Sequence, residues 1–220
     1  MTSKSTPPSQ KNSPHFFILE SLTLKDETSG WFEGKQLYNY LKLLNKKPQY
    51  YYIQSRRELE KMAIIFRETG YRYLYISCHG NEHSLNTTFD TIPFHDFSEI
   101  FDKRLEHRRV FISGCSLGQQ HFAKTLFSKN GGMYSITAPK EMLNLSKCCR
   151  SGDLFFTWCS PLIQTLMKGS AIYPSLQLCS NMFNVDMIHF YKKTGKGIIS
   201  KNFIAENVFS DEQLKNSHTD

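Results

Sequence analysis

Nowhere in the 220 residues does an apolar run approach the roughly 18 to 20 needed to cross a bilayer. Met1 to Pro14 is rich in Ser, Pro and Lys and has no apolar stretch of the kind a secretory signal carries. Both absences point to a cytoplasmic protein that does not associate with a membrane. No two cysteines stand two residues apart, so the adjacent Cys148 and Cys149 suggest no zinc site; neither a metal nor an organic cofactor is expected. Six cysteines (Cys78, Cys115, Cys148, Cys149, Cys159 and Cys179), unevenly scattered, suit reduced thiols better than a disulfide framework. The formal charge is +7, but no basic helix or recognition motif gathers the lysines, and the densest stretch, Lys192 to Lys201, reads as a solvated surface. No nucleic-acid partner is expected. Internal repeats and a second domain are also missing.

What is present is ordinary for one globular domain: 40% hydrophobic and 21% charged residues. The organisation expected is a disordered N-terminal segment over 1–14, a folded domain over 15–204 and a polar tail over 205–220. Phe16 to Ser21 reads as a strand, Leu22 to Gly34 as a polar loop, and Lys35 to Leu44 as a helix with Leu37, Tyr40, Leu41 and Leu44 at helical spacing. The unit repeats: Tyr50 to Ile53 is β-prone, Ser55 is a good N-cap, and Arg56 to Glu68 carries Leu59, Met62, Ala63 and Phe66 on one face. Tyr71 to Cys78 is a third strand. A hairpin over Leu85 to Phe94, a helix over Phe97 to Leu105, a strand over Arg109 to Gly114, a helix over Gly118 to Ser128 and a strand over Met133 to Ala138 follow. Ser151 to Lys168 reads as a long helix, a further helix starts near Pro174, and Met187 to Tyr191 is a last strand. Strands alternating with helices predict a three-layer α/β/α sandwich around a mainly parallel sheet.

Two of these strands end on reactive side chains followed by small residues: Ile76-Ser77-Cys78-His79-Gly80 and Ile112-Ser113-Gly114-Cys115-Ser116. Neighbouring parallel strands would bring both ends to the carboxyl edge of the sheet, where open α/β sheets bind ligands. A thiol beside an imidazole is the minimum equipment for thiolate attack on a carbonyl, and a helix opening near Gly118 would help the thiolate form. Gly80 and Gly114 would let a substrate backbone approach, and the amides of Gly80 and Cys115 would stabilise an oxyanion. Two other readings compete for the same stretch. Gly114-Cys115-Ser116-Leu117-Gly118 also fits G-x-S-x-G, a serine elbow, although the acid and histidine it needs downstream are only Asp186 and His189, three residues apart. A phosphatase loop needs arginine six residues after its cysteine, where the chain has His121.

In its His79-Gly80 strand end, hairpin, helix and Gly114-Cys115 strand end, the chain resembles the caspase-like cysteine peptidases, especially their CHAT and separase branches. The resemblance extends more loosely over Phe16 to Ile172. It implies a caspase-like fold and an endopeptidase with His79 as base, Cys115 as nucleophile and the Gly80 and Cys115 amides as oxyanion hole. A protein or peptide substrate and control by a regulatory partner or an activation step are implied with them. Relatives that cut after Arg or Lys often carry Asp two residues before the nucleophile, where this chain has Ser113, or just after the fifth strand, where it has Pro139-Lys140-Glu141. Lys140 or Arg150 could meet an acidic P1 side chain and Glu141 or Asp153 a basic one, so the P1 preference stays open. A scaffold that keeps the fold without peptidase action is the remaining alternative.

Overall fold

The computed structural model describes residues 13–30, 32–140 and 172–206. The expected long helix over Ser151 to Lys168, together with Glu141, Arg150, Asp153, Cys148, Cys149, Cys159 and most of the two polar ends, lies outside these residues. Five parallel strands form the centre: β1 (Ser13–Glu20), β2 (Gln49–Tyr52), β3 (Tyr71–Ser77), β7 (Arg109–Ser113) and β8 (Ser135–Pro139). Their order across the sheet is β2-β1-β3-β7-β8. Beyond β8 the sheet continues with β9 (Met187–Lys193) and β10 (Gly197–Phe203), both antiparallel to their neighbours. β10 was not expected from the sequence. Its Lys- and Ser-bearing run looks like solvated surface because an edge strand with one wet side carries little hydrophobic periodicity.

The central strands alternate between two cores. Phe17 and Leu19 of β1, Leu74 and Ile76 of β3, and Val110 and Ile112 of β7 face one way. There they pack against Leu59, Ala63 and Phe66 of α3 (Arg56–Glu68), Phe97 of α4 (Phe94–Ile100) and Phe122 of α5 (Gln120–Lys129). Phe16 and Ile18, Tyr73 and Tyr75, and Phe111 face the other way, onto Leu37 and Leu41 of α2 (Glu33–Leu43) and Leu176 and Cys179 of α6 (Ile172–Phe183). Apolar residues on both faces are what a central parallel strand requires, and the result is the expected three layers. Ser55 caps α3 in a reciprocal box with Glu58, as its position before the apolar-periodic run suggests. No helix among the described residues is long and apolar enough to cross a membrane.

The sequence misplaces several boundaries. The presumed loop from Leu22 to Gly34 holds a short helix, α1 (Leu24–Ser29), and the start of α2. α5 begins at Gln120 rather than Gly118, so four residues separate Cys115 from the first helical residue, and the positive end of the macrodipole, whose effect falls off within the first turn, helps the thiolate less than the sequence suggests. The hairpin gains a third strand. β4 (His79–Gly80) pairs with β5 (Ser84–Asn86), which pairs with β6 (Thr91–Pro93), making a small sheet over the carboxyl edge.

A buried acid anchors the start of α2. The Glu20 carboxylate accepts hydrogen bonds from the Gly34 and Lys35 amides and from the Tyr50 hydroxyl. Burial pushes its pKa up to about 7, against these three bonds and with some help from the nearby Glu33 charge. An acid whose folded-state pKa is raised keeps its proton longer in the fold than in the open chain, so this contribution to stability falls as pH rises from 4.5 through about 7. The span corresponds to roughly 3 kcal/mol. In urea titrations, Glu20→Gln should narrow the stability difference between pH 5 and pH 8 relative to the wild type; an unchanged difference would show that Glu20 titrates normally.

Candidate active site

Four chain crossings meet at the carboxyl edge of the parallel strands. Ser77 of β3 and Ser113 of β7 are register partners. One step further along, the Cys78 amide donates to the Ser113 carbonyl at 3.0 Å. His79 and Cys115 each follow two residues beyond that serine pair, so the structure brings the two sequence-predicted groups to the same edge on adjacent strands. Cys115 sits in the turn between β7 and α5, partly exposed, and its thiol is close enough to Cys78 to perturb it. Neighbouring loops are tied in as well: the Ser21 amide donates to the Ser77 carbonyl, and the Thr88 hydroxyl donates to the Leu22 carbonyl.

The His79 ring has a partner that sequence reasoning missed. Its Nε2 lies 2.6 Å from Oδ2 of Asp26, on α1. The same oxygen accepts from the Thr23 hydroxyl at 2.6 Å, and Thr23 in turn caps α1 by accepting from the Asp26 amide. Burial acts to raise the Asp26 pKa, but the Thr23 hydroxyl and the His79 ring outweigh it and hold the carboxyl below its ordinary range. Asp26 is therefore a carboxylate, and Nε2 of His79 is the nitrogen that donates to it. The proton exchanged with a substrate or thiol then belongs to Nδ1.

Two of the three described cysteines are chemically quiet. Burial pushes the Cys78 thiol up to about 12, with the Glu33 and Cys115 charges adding to the rise, and burial also pushes Cys179 well above its usual value. Among these three thiols Cys115 is the reactive candidate, because the thiolate is the nucleophilic form.

The glycines of both motifs serve packing. A Cβ on Gly80 would lie 2.6 Å from Cδ2 of Leu117, and one on Gly114 would lie 2.5 Å from Cδ1 of the same side chain and 2.7 Å from the Cys78 carbonyl oxygen. Leu117, 1% exposed, fills the space that side chains at both positions would take. The close approach expected of a substrate backbone is made instead by a core leucine that locks the two strand ends together.

Of the expected substrate-contacting residues, Ser113 donates its hydroxyl to the Glu33 carboxylate at 2.9 Å. Lys140 follows β8 at the same edge, and its amide donates to the Asp186 carbonyl. Glu141 and Asp153 lie outside the described residues. Ser116 has φ 56°, a left-handed turn of the kind an elbow serine adopts. The histidine that this alternative needs is not available, however: His189 is 1% exposed, its Nδ1 is 2.8 Å from the Thr137 hydroxyl in mid-sheet, and burial with nearby Arg109 and Lys201 lowers its pKa to about 3. Among the described residues no group of three or more His, Cys, Asp or Glu side chains could hold a metal ion.

Neither the family models nor the curated proteins contain a match to this chain. What the site does is therefore argued from its geometry.

Proposed function

We propose that the chain is a caspase-like cysteine endopeptidase that works through a Cys115, His79 and Asp26 relay. The observation that carries this reading is the Asp26 to His79 bond at the sheet edge, two residues past the Ser77 and Ser113 pair that sets Cys115 alongside. A carboxylate that fixes one imidazole nitrogen and leaves the other for proton transfer is the orienting third group of nucleophilic triads.

In the proposed reaction, His79 Nδ1 takes the Cys115 proton, and the thiolate forms a C–S bond to the scissile carbonyl carbon. The carbonyl electrons move onto oxygen, where the Gly80 and Cys115 amides receive the charge. Collapse of that intermediate breaks the C–N bond as His79 returns its proton to the leaving amine. Water then gives a proton to His79 and attacks the thioester, and the second collapse releases the carboxylate and restores the thiol. Asp26 stabilises the imidazolium in both halves. No cofactor enters this scheme. The buried His189 counts against a serine esterase built on Ser116.

Labelling with a peptidyl acyloxymethyl ketone and peptide mapping tests the reading. Cys115 should be modified ahead of Cys78 and Cys179, and Cys115→Ala should lose both the label and protein-cleaving activity, by about 10⁴-fold or more. Labelling that spreads evenly over the chain's six thiols, or a fluorophosphonate adduct on Ser116, would overturn it.

A further inference from the structure

The helix that carries Asp26 packs by its polar side. Of the residues of α1, only Asp26 and Glu27 are half-buried; the other four are exposed, Leu24 at 59%. A helix this short has little stability of its own, and with no buried residue it draws none from the hydrophobic core. Its place on the sheet end and its rotation are therefore set by polar contacts. Asp26 meets His79. Glu27, about 100° further round the helix, has different partners: its Oε1 accepts from the Tyr52 hydroxyl and from Nε2 of Gln54 at 3.1 Å.

The two contacts straddle the strand that α1 leaves. β1 lies between β2 and β3, and Glu20 at its end is in register with Tyr52 on one side and Ser77 on the other. One carboxylate of α1 reaches the β3 side, where His79 stands just past Ser77, and the next reaches the end of β2. The Tyr52 hydroxyl also accepts from the Leu22 amide at 3.4 Å, so a single group holds both the entry to α1 and its inner face. Gln54 is fixed in turn: its carbonyl accepts from the Phe89 amide at 3.0 Å, and its own amide donates to Oε2 of Glu58 at 2.7 Å. A helix held only through Asp26 would be free to turn about its axis and carry the carboxylate off the imidazole. The second contact, on a different bearing, removes that freedom.

We infer that Tyr52 and Gln54, acting through Glu27, are positioning residues that hold the Asp26 carboxylate on His79, so that the relay is complete only while α1 is docked on the end of β2. The inference rests on the peptidase reading for the task of the relay and adds what sets its geometry. That control comes from β2, three places across the sheet from the strand that delivers Cys115.

The pH dependence of Cys115 alkylation by iodoacetamide, followed on the full chain by peptide mapping, tests the inference and needs no substrate. Tyr52→Phe removes the hydroxyl but keeps the ring beside Phe32, where the centroids are 5.7 Å apart. Its half-maximal rate should move to higher pH by about one unit, the size of one hydrogen bond to a charged group. Glu27→Ala should move it at least as far. Glu27→Gln should move it less, because its carbonyl oxygen still accepts from Tyr52 and Gln54. Adding Tyr52→Phe to Asp26→Asn should shift the profile almost no further, since both changes act through the same carboxylate. If Tyr52→Phe does not fold, the two Glu27 variants decide. A wild-type profile in Tyr52→Phe and Glu27→Ala, equal shifts from the two Glu27 variants, or a full extra shift on top of Asp26→Asn would overturn the assignment. The expected order of shifts in a chain whose Cys115 the peptidyl ketone fails to label would instead sink the peptidase reading and leave the coupling of Tyr52 to Asp26 standing.

Discussion

Asp26→Asn should lower peptide-cleaving activity by about 10³-fold while leaving the protein folded. The size follows from what the carboxylate does for the ring. With Asp26 ionised, Nε2 of His79 donates to Oδ2, and Nδ1 is left to take the Cys115 proton. An asparagine offers an amide N–H₂ to the same nitrogen as readily as a carbonyl oxygen. The tautomer with its proton on Nδ1 becomes accessible, and that tautomer cannot accept the thiol proton. The neutral amide also withdraws the charge that stabilises the imidazolium beside the thiolate. Asp26 and His79 are both about one-third exposed or less, which keeps the expected loss below the roughly 10⁴-fold seen where the corresponding acid is fully buried. A purely structural role for Asp26, through its bond to Thr23, would lower activity only in proportion to lost folded protein. The discriminating measurement is the pH dependence of Cys115 alkylation. Loss of the carboxylate should move the half-maximal rate to higher pH, whereas an unshifted profile would show that Asp26 does not act through His79.

The parts of this site that could be read from the chain are those written locally. Apolar runs that stop at Cys78-His79-Gly80 and Gly114-Cys115 announce strand ends, and the alternation of strands with periodic segments announces a parallel sheet whose ends share an edge. α3 is legible residue for residue because Ser55, Glu58 and the Leu59, Ala63 and Phe66 stripe reinforce one another. The charged partners were not legible for the opposite reason. Asp26 meets His79 across 53 residues, and Glu33 meets Ser113 across 80. Both acids sit in a stretch whose Asp, Glu, Ser and Gly content reads as a loop, and its short α1 buries no residue that would betray a helix. Polar contacts over such separations leave no period in the sequence, and only the packed sheet brings them together. The Ser77 and Ser113 pair was the available clue. Two hydroxyls at equivalent positions of adjacent strand ends, on a face that also carries Tyr73, Tyr75, Phe111 and Arg109, need an acceptor, and an acid from the preceding loop is the nearest kind.

Gly114→Ala should destabilise the fold by about 3 kcal/mol and abolish activity with it, whereas Gly80→Ala should be open to repair. The difference lies in what each new methyl group would strike. At Gly80 the three nearest atoms, at 2.6 to 2.9 Å, all belong to the Leu117 side chain. At Gly114 a methyl meets Leu117 at 2.5 Å and also the Cys78 carbonyl oxygen at 2.7 Å. That carbonyl cannot retreat easily, because the Cys78 amide is bonded to the Ser113 carbonyl within the same strand pair. Leu117→Ala by itself opens a cavity beneath both strand ends and should cost about 2 to 5 kcal/mol. In that background Gly80→Ala should add almost nothing, since the obstructing atoms are gone and the new methyl fills part of the void. Gly114→Ala should keep most of its cost, because the backbone clash remains. Urea-unfolding free energies for the wild type, the three single variants and the two double variants give the two coupling energies directly. Strong coupling at position 80 with weak coupling at position 114 would place Leu117 as the wedge that holds the His79 and Cys115 turns in register. Equal coupling at both positions would mean that the Cys78 carbonyl moves aside, and that the edge carrying the two reactive groups is more pliable than its hydrogen bonding indicates.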